Sequence, residues 1–398
     1  MVHVNRWVRY CALVMVVIGL VLPVRSARAA AILVVTTTAD TVAVDGNCSL
    51  REAIQAANTK TTVNECTHDG SAGADTINLG VTGTISLTGV LSDLNTSLNI
   101  VGPGATSLTI RRDTGGDYRL LTILSGAQVS ITGVTLANGH MPGYLNGGAI
   151  NNAGILTVTA IVFDGNSTTE SGGALENSGT LSVSQSTFVN NHADYYGGGI
   201  HVSSGAVTVT ASTFTSNTSG FDGGALQLEG GKLLVLDSTL SKNTTPYSGG
   251  GAAGYITLIN STIVYNTAGP SSGGVDSNVT LGNSIVYSNS AHFNKDLSGF
   301  TSLGHNLIGN SYGVYGNVPS DLLGVNPLIG PLALNGNSAF GPLSYALLPG
   351  SPAINAGSNA LCPALDQRGV ARPQGGACDI GAVESLSWPR AFAPLALR

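Results

Sequence analysis

The chain has 398 residues, of which 42% are hydrophobic and only 10% charged, with a formal net charge of −6. Its 54 glycines are about twice the usual ~7% share, but no Gly-X-Y period accompanies them, so collagen is excluded. There are only four lysines and no basic stripe, which excludes a nucleic-acid partner.

The N-terminus has Arg6 and Arg9, an apolar run from Cys11 to Pro23, and then Ser26-Ala27-Arg28-Ala29. This is the layout of a secretory signal over residues 1–29, with cleavage expected after Ala29. The apolar run is short for a membrane span of ~20 residues, and no later stretch is apolar enough to cross. Cleavage removes four of the 16 basic residues and no acids, leaving 12 against 22, or −10. The expected location is extracellular or at the cell surface, with no transmembrane span after cleavage.

Residues 30–75 read as an N-terminal cap. Ser49 and Glu52 have capping-box spacing, and Leu50, Ala53, Ile54 and Ala57 fall on one helical face. Such a helix would cover the open strand edge at which a solenoid begins. Arg51 and Glu52 read as charges that stabilise the cap. Four cysteines remain after cleavage, Cys48, Cys66, Cys362 and Cys378, and an even count in an exported chain indicates disulfides. Three connectivities are possible, and sequence proximity favours Cys48–Cys66 and Cys362–Cys378. A zinc site is disfavoured because C-x2-C spacing and clustered histidines are absent. No cofactor or metal is expected.

Residues 76–319 repeat. Gly147-Gly148, Gly172-Gly173, Gly198-Gly199, Gly223-Gly224, Gly250-Gly251 and Gly273-Gly274 each open a unit. Phe163-x-x-Asn166, Phe188-x-x-Asn191, Phe214-x-x-Asn217, Leu240-x-x-Asn243, Ile263-x-x-Asn266 and Val286-x-x-Asn289 each close one. The spacing of roughly 25 residues marks a solenoid of about ten coils. Within units, Leu181 and Val183, Val207 and Val209, and Leu233 and Val235 alternate with Ser, Thr or Gly, the pattern of strands with one buried face. The expected fold is therefore all-β, a right-handed parallel β-helix. Stacking would align Ser186, Ser212, Ser238, Ser261 and Ser284 in one ladder and the closing asparagines in another, with those asparagines taking the left-handed backbone of a corner. The glycine pairs would permit sharp corners and close approach of neighbouring coils.

Residues 320–385 lose the period and concentrate Asp366, Arg368, Arg372, Asp379 and Glu384, which predicts a salt-bridged C-terminal cap closed by Cys362–Cys378. Residues 386–398 form a tail, too short to span a bilayer and a candidate sorting segment.

Cys48 to Asn58 resembles the CSLREA domain of exported bacterial proteins. The Gly-Gly-Ala-(Ile/Leu) and Phe-x-x-Asn units resemble repeats of the polymorphic outer-membrane proteins, β-helical surface adhesins. Asp321 to Glu384 resembles the choice-of-anchor Q domain. These resemblances imply a secreted or surface β-helix and carry over no catalytic residue. Polymorphic outer-membrane proteins end in a β-barrel, and the few residues after Glu384 are too few for one of eight strands.

The recurrent aromatics before the glycine pairs, Tyr144, Tyr195, Tyr196, Phe221 and Tyr247, would line one edge and offer flat faces to sugars or peptide side chains. Asp194 and Asp222 occupy corresponding loops and could approach each other across a coil. Their function as expected is non-catalytic: adhesion, or binding of a polysaccharide or cell-surface protein along one solenoid face. The alternative is a β-helical polysaccharide lyase or glycoside hydrolase, which needs clustered carboxylates on one face. The sequence displays no such cluster: Asp164, Glu229, Asp237, Asp276 and Asp296 are scattered, and Lys232, Lys242 and Lys295 have no acidic group beside them. Gly304-His305 reads as a turn.

Overall fold

The computed structural model describes residues 30–276, 278–336 and 341–386. The expected signal segment, and all of the tail but Leu386, lie outside the described residues.

The body is a parallel β-solenoid. Two sheets have eleven strands each: sheet I runs from Ile32–Val35 to Phe300–Ser302, and sheet II from Gly83–Leu87 to Leu322–Leu323. Sheet III has six strands, Leu121–Ile123 to Ala252–Ala253, and sheet IV four, His140–Met141 to Thr218–Ser219. A full coil visits them in the order III, I, II, IV, as in Ile150–Asn152, Ile155–Thr159, Val162–Asp164 and Ser167–Thr168. The register places like on like: Leu156, Leu181, Val207, Leu233 and Ile256 align in sheet I, and Phe163, Phe188, Phe214, Leu240, Ile263 and Val286 in sheet II. All of these side chains are buried. The three phenylalanines stack with centroids 4.4 and 4.5 Å apart, close to the rise between paired strands.

The asparagine ladder is continuous. Asn166 Nδ2 donates to Asn191 Oδ1, and the pattern repeats through Asn217, Asn243, Asn266 and Asn289 at 2.9–3.0 Å. Each of these amides also donates to a backbone carbonyl of the coil below, and each from Asn191 on accepts the backbone N–H of the preceding asparagine. Every asparagine-to-asparagine bond of the ladder therefore points toward the C-terminal end. There Asp296 receives both the backbone and side-chain N–H of Asn289. An acceptor-only carboxylate suits the last position, and it sits at the positive end of the aligned amide dipoles. Its pKa is raised, because burial outweighs the hydrogen bonds from Asn289 and Asn310.

The serine ladder ends in the same way. Serine hydroxyls donate to the carbonyl two residues back and accept the N–H of the coil below, as in Ser186 N to Ser212 Oγ and Ser212 N to Ser238 Oγ. Ser284 N then donates to Asn306 Oδ1, and Asn306 donates twice to Asp321.

The asparagines themselves do not adopt the left-handed backbone, which corrects the expectation. The residue just before each one does: Gly165, Asn190, Ser216, Lys242, Tyr265 and Ser288. The ladder position needs a side chain aimed into the coil, so its neighbour makes the bend. Likewise Ala160, Gln185, Ala211, Asp237, Asn260 and Asn283 turn the chain ahead of each serine-ladder position. The glycine turns divide two roles: Gly172 has φ +76°, while a Cβ on Gly173 would overlap the backbone of Gly198 and His192 on the next coil.

At the N-terminal end, helix α1 (Leu50–Thr59) carries the full capping box between Ser49 and Glu52, and its apolar face is buried. Arg51 makes a two-pronged pair with Asp40 and binds the carbonyls of Gly89 and Val90. Glu52 gathers the N–H groups of Ser49 and Ala43 and the amide of Asn64, so its pKa is lowered although burial opposes this. Cys48–Cys66 and Cys362–Cys378 are the disulfides. Among the described residues no helix is long and apolar enough to cross a membrane.

The C-terminal segment reaches back along the flank of sheet II. Its antiparallel hairpin, Ile329–Ala333 with Ser344–Leu347, places Tyr345 Oη 2.7 Å from Ser241 Oγ. Gln367 accepts from Thr239 Oγ1 and donates to Thr213 Oγ1 and Ser212 O. Tyr345, Ala353 and Ile380 build a second apolar core on Val264, Ile285 and Leu307. The outer residues of Thr213–Thr215, Thr239–Ser241 and Thr262–Val264 are consequently buried, whereas those of Val162–Asp164 and Thr187–Val189 are not. The predicted charges do pair: Arg368 with Asp366 at 2.6 Å and Arg372 with Glu384 at 3.1 Å. Arg372 also lies 3.4 Å from Asp237, whose pKa burial raises to about 7.

Candidate functional site

The turn from sheet IV into sheet III presents an aromatic ledge. Tyr195, Phe221 and Tyr247 sit on successive coils, with centroids 5.2 and 4.9 Å apart and planes within 8°. Tyr195 and Tyr247 are 42% and 46% exposed. Because the rings stack on one another, their shared faces are already used. The ledge offers ring edges, two tyrosine hydroxyls and the outermost faces, rather than the row of free faces expected from the sequence.

The other two of the five predicted aromatics are not part of the stack. Tyr144 is 97% exposed and belongs to a lower turn, and Glu170 occupies the ledge position of the coil below Tyr195. Tyr196 is half-buried beside the stack: its ring is tilted against Tyr195 and Phe221, at 6.4 and 5.8 Å, and lies over the His201 ring at 6.1 Å. Burial raises its phenol pKa, and the negative charges of Glu229 and Asp222 raise it further.

Asp194 and Asp222 are not brought together in register. Asp194 aligns with Gly220 and Asp222 with Tyr196, so they occupy different columns. Asp194 binds His192 Nε2 at 2.9 Å, and Asp222 Oδ1 accepts the Ser248 N–H. His140 and His192 alternate with Ser167 and Thr218 along sheet IV, each Nδ1 meeting the hydroxyl of the next coil. His305 is a left-handed corner residue, as a turn requires.

A carboxylate cluster that the sequence reading missed lies on the outer face of sheet III. His201 is buried, its Nδ1 is 2.6 Å from Glu176 Oε2, and Ser203 donates to Glu176 Oε1 at 2.6 Å. His201 Nε2 is 3.2 Å from Glu229 Oε2, inside ion-pair range but off the line of a good hydrogen bond. The signal was present in the repeat: the residue after the apolar one that follows each glycine pair forms a column, Asn151, Glu176, His201, Gln227 and Ala253. Residues spaced 25 or 26 apart become neighbours only once that register is fixed.

Burial opposes charge on His201, but Glu176 and then Glu229 outweigh it, so its pKa is raised above 6.5. A histidine with a raised folded pKa contributes stability that is fully present below 6.5 and is lost as pH climbs through the folded value. Melting temperature should therefore fall as pH rises above 6.5, and His201→Gln should flatten that slope. An equal slope in both proteins, followed by circular dichroism, would contradict the assignment.

Among the described residues no group of three or more His, Cys, Asp or Glu is arranged to hold a metal ion. Residues 160–178 and 185–203 match the family model described as the Chlamydia polymorphic membrane protein repeat. Each matched stretch runs from a left-handed corner, Ala160 or Gln185, through Phe-x-x-Asn and the glycine turn into sheet III. No curated protein matches the chain. Among solved structures it is similar to ORF18 of Geobacillus virus E2, at 12% identity over 59% of this chain and 55% of that one, with a TM-score of 0.33, too low to inform fold or function. The repeats and the solenoid are together consistent with a non-catalytic surface protein.

Proposed function

We propose that the protein is a secreted or surface-attached adhesin that holds carbohydrate along the edge between sheets IV and III. The observation that carries this reading is the ledge of Tyr195, Phe221 and Tyr247, half-exposed and repeating once per coil. The rise of roughly 4.8 Å per coil is close to the length of one sugar unit. Hydroxyls of Tyr195 and Tyr247 supply hydrogen bonds, and ring edges supply apolar contact. The likeness of the repeats to a polymorphic membrane protein supports surface placement. So do the resemblances of the two ends to the CSLREA and choice-of-anchor Q modules of exported proteins.

A second reading, polysaccharide cleavage, draws on Glu176 and Glu229, two carboxylates on one face. Glu176 favours binding over cleavage, because it is buried with both oxygens engaged by His201 and Ser203.

The test is retention of the purified protein on a panel of polysaccharides, with glycan length measured in the same tubes. Retention without shortening is expected. The triple replacement Tyr195→Ala, Phe221→Ala and Tyr247→Ala should weaken it by about tenfold or more with little change in melting temperature. Undiminished retention would remove the ledge as the binding edge. Shortening that stops on Glu229→Gln would favour the enzyme.

A further inference from the structure

A cleft of about 440 Å³ opens beside the first strand of sheet III, lined by Asp117, Tyr118, Arg119, Thr122, Met141 and Leu145 among others. Arg119 is only 6% exposed, yet its guanidinium has no hydrogen bond or ion pair among the described residues. The other buried arginines are paired: Arg372 with Glu384 and Arg368 with Asp366. Of the other polar side chains lining the cleft, Asp117 pairs with Arg112, the Tyr118 hydroxyl meets the carbonyls of Leu87 and Thr114, and neither these nor Thr122 bonds Arg119. None of its nitrogens is fully enclosed, so the guanidinium opens onto the cleft, and its planar fork matches a carboxylate.

We propose that this cleft is a carboxylate-binding site, with Arg119 as its anchor, and that it takes the acidic sugar at one end of a bound glycan. Glu176 and Asp93 act on Arg119 from a distance and partly offset its charge, which favours a monoanion over a doubly charged phosphate. Met141 and Leu145 provide an apolar wall for the ring. Backbone bonds step from Leu120 to Ala149, Ala174 and Gly199, so the cleft lies three coils below Tyr195 on the same edge. That is roughly 14 Å, room for a few sugar units between cleft and ledge. The carboxylate site stands on Arg119 alone, and the sugar rests on the reading of the ledge given above.

The experiment titrates the full protein with a glucose tetrasaccharide ending in glucuronate, with its all-glucose counterpart, with sodium propionate and with a glutamate-rich peptide. The glucuronate form should bind about tenfold tighter than the neutral one, the effect of one charged hydrogen-bonded pair. Arg119→Met should erase that preference and leave the melting temperature unchanged or higher, since it breaks no pair. Thr122→Glu, which supplies a carboxylate from within the cleft, should also erase it while raising the melting temperature. An equal preference in wild type and Arg119→Met overturns the proposal. If propionate stabilises the wild type but not Arg119→Met and neither tetrasaccharide binds, the carboxylate site holds and the sugar assignment falls. Binding of the peptide alone would also overturn the sugar and assign the cleft to a protein partner.

Discussion

Asn217→Leu is expected to lower stability by roughly 3–6 kcal/mol, the largest loss from any single polar residue of the solenoid. Asn217 Oδ1 accepts both the backbone and side-chain N–H of Asn191, and its Nδ2 donates to Phe188 O and Asn243 Oδ1. Leucine has a similar volume, so little is lost in packing. What it leaves are two donors and a backbone carbonyl in the interior with no partner, each costing about 1–2 kcal/mol. Asn217→Asp restores the acceptor but no donor, and it places a charge against the Asn243 and Phe188 oxygens, so it should be no milder. Asp296→Asn, at the ladder's end, should cost less, about 1–2 kcal/mol, because only the bond from Asn310 must be remade. Urea denaturation followed by circular dichroism measures the totals. Hydrogen exchange on the neighbouring coils shows whether the loss is local, as it can be in a repeat structure. A cost under about 1 kcal/mol for Asn217→Leu would mean that coil stacking, not the amide ladder, holds this corner.

Gly173→Ala is the second large effect, expected at about 3 kcal/mol or more. The added methyl would overlap backbone atoms of Gly198 and His192, and neither can rotate away as a side chain would. Relief requires separating two coils, which lengthens the bonds from Gly173 N to Gly197 O and from Ala174 N to Gly199 O. Gly143 is the matched control. Its φ is +77° and a Cβ there meets nothing within 4 Å, so Gly143→Ala should cost only the left-handed penalty, about 1 kcal/mol. Similar losses at both positions, measured by the same denaturation, would show that glycine serves the bend rather than the close approach.

Most of the body could be read from the chain. The spacing of Phe163, Phe188 and Phe214 and of the asparagines beside them names the residues that stack, because coiling at a fixed period places equal positions above one another. The cap helix was legible for the same kind of reason: Ser49, Glu52 and the apolar face that follows form a local pattern within eleven residues. The aromatic ledge was legible as a recurrence, but its geometry was not. Residues that recur once per coil stack on each other, so recurrence itself removes the free faces it had suggested. Tyr196 joins the ledge from the side, tilted against Tyr195 and Phe221 rather than stacked with them, since adjacent residues in a turn point in different directions.

The sequence by itself determined the coil period, the inward ladders, the cap helix and the two local disulfides, since each depends on residues near in sequence or repeated at a constant interval. Tertiary structure decided the rest. Glu176, His201 and Glu229 meet because register carries single positions of three coils onto one face. Gln367 reaches Thr213 across a separation of 154 residues, and no local pattern encodes where such a flank will dock. Arg119 faces its cleft without a protein partner only because the surrounding turns cover its stem while Asp117 pairs with Arg112. Local propensity and periodicity act along the chain, whereas the pairing of charges on an outer face depends on distances that exist only after the coils have stacked.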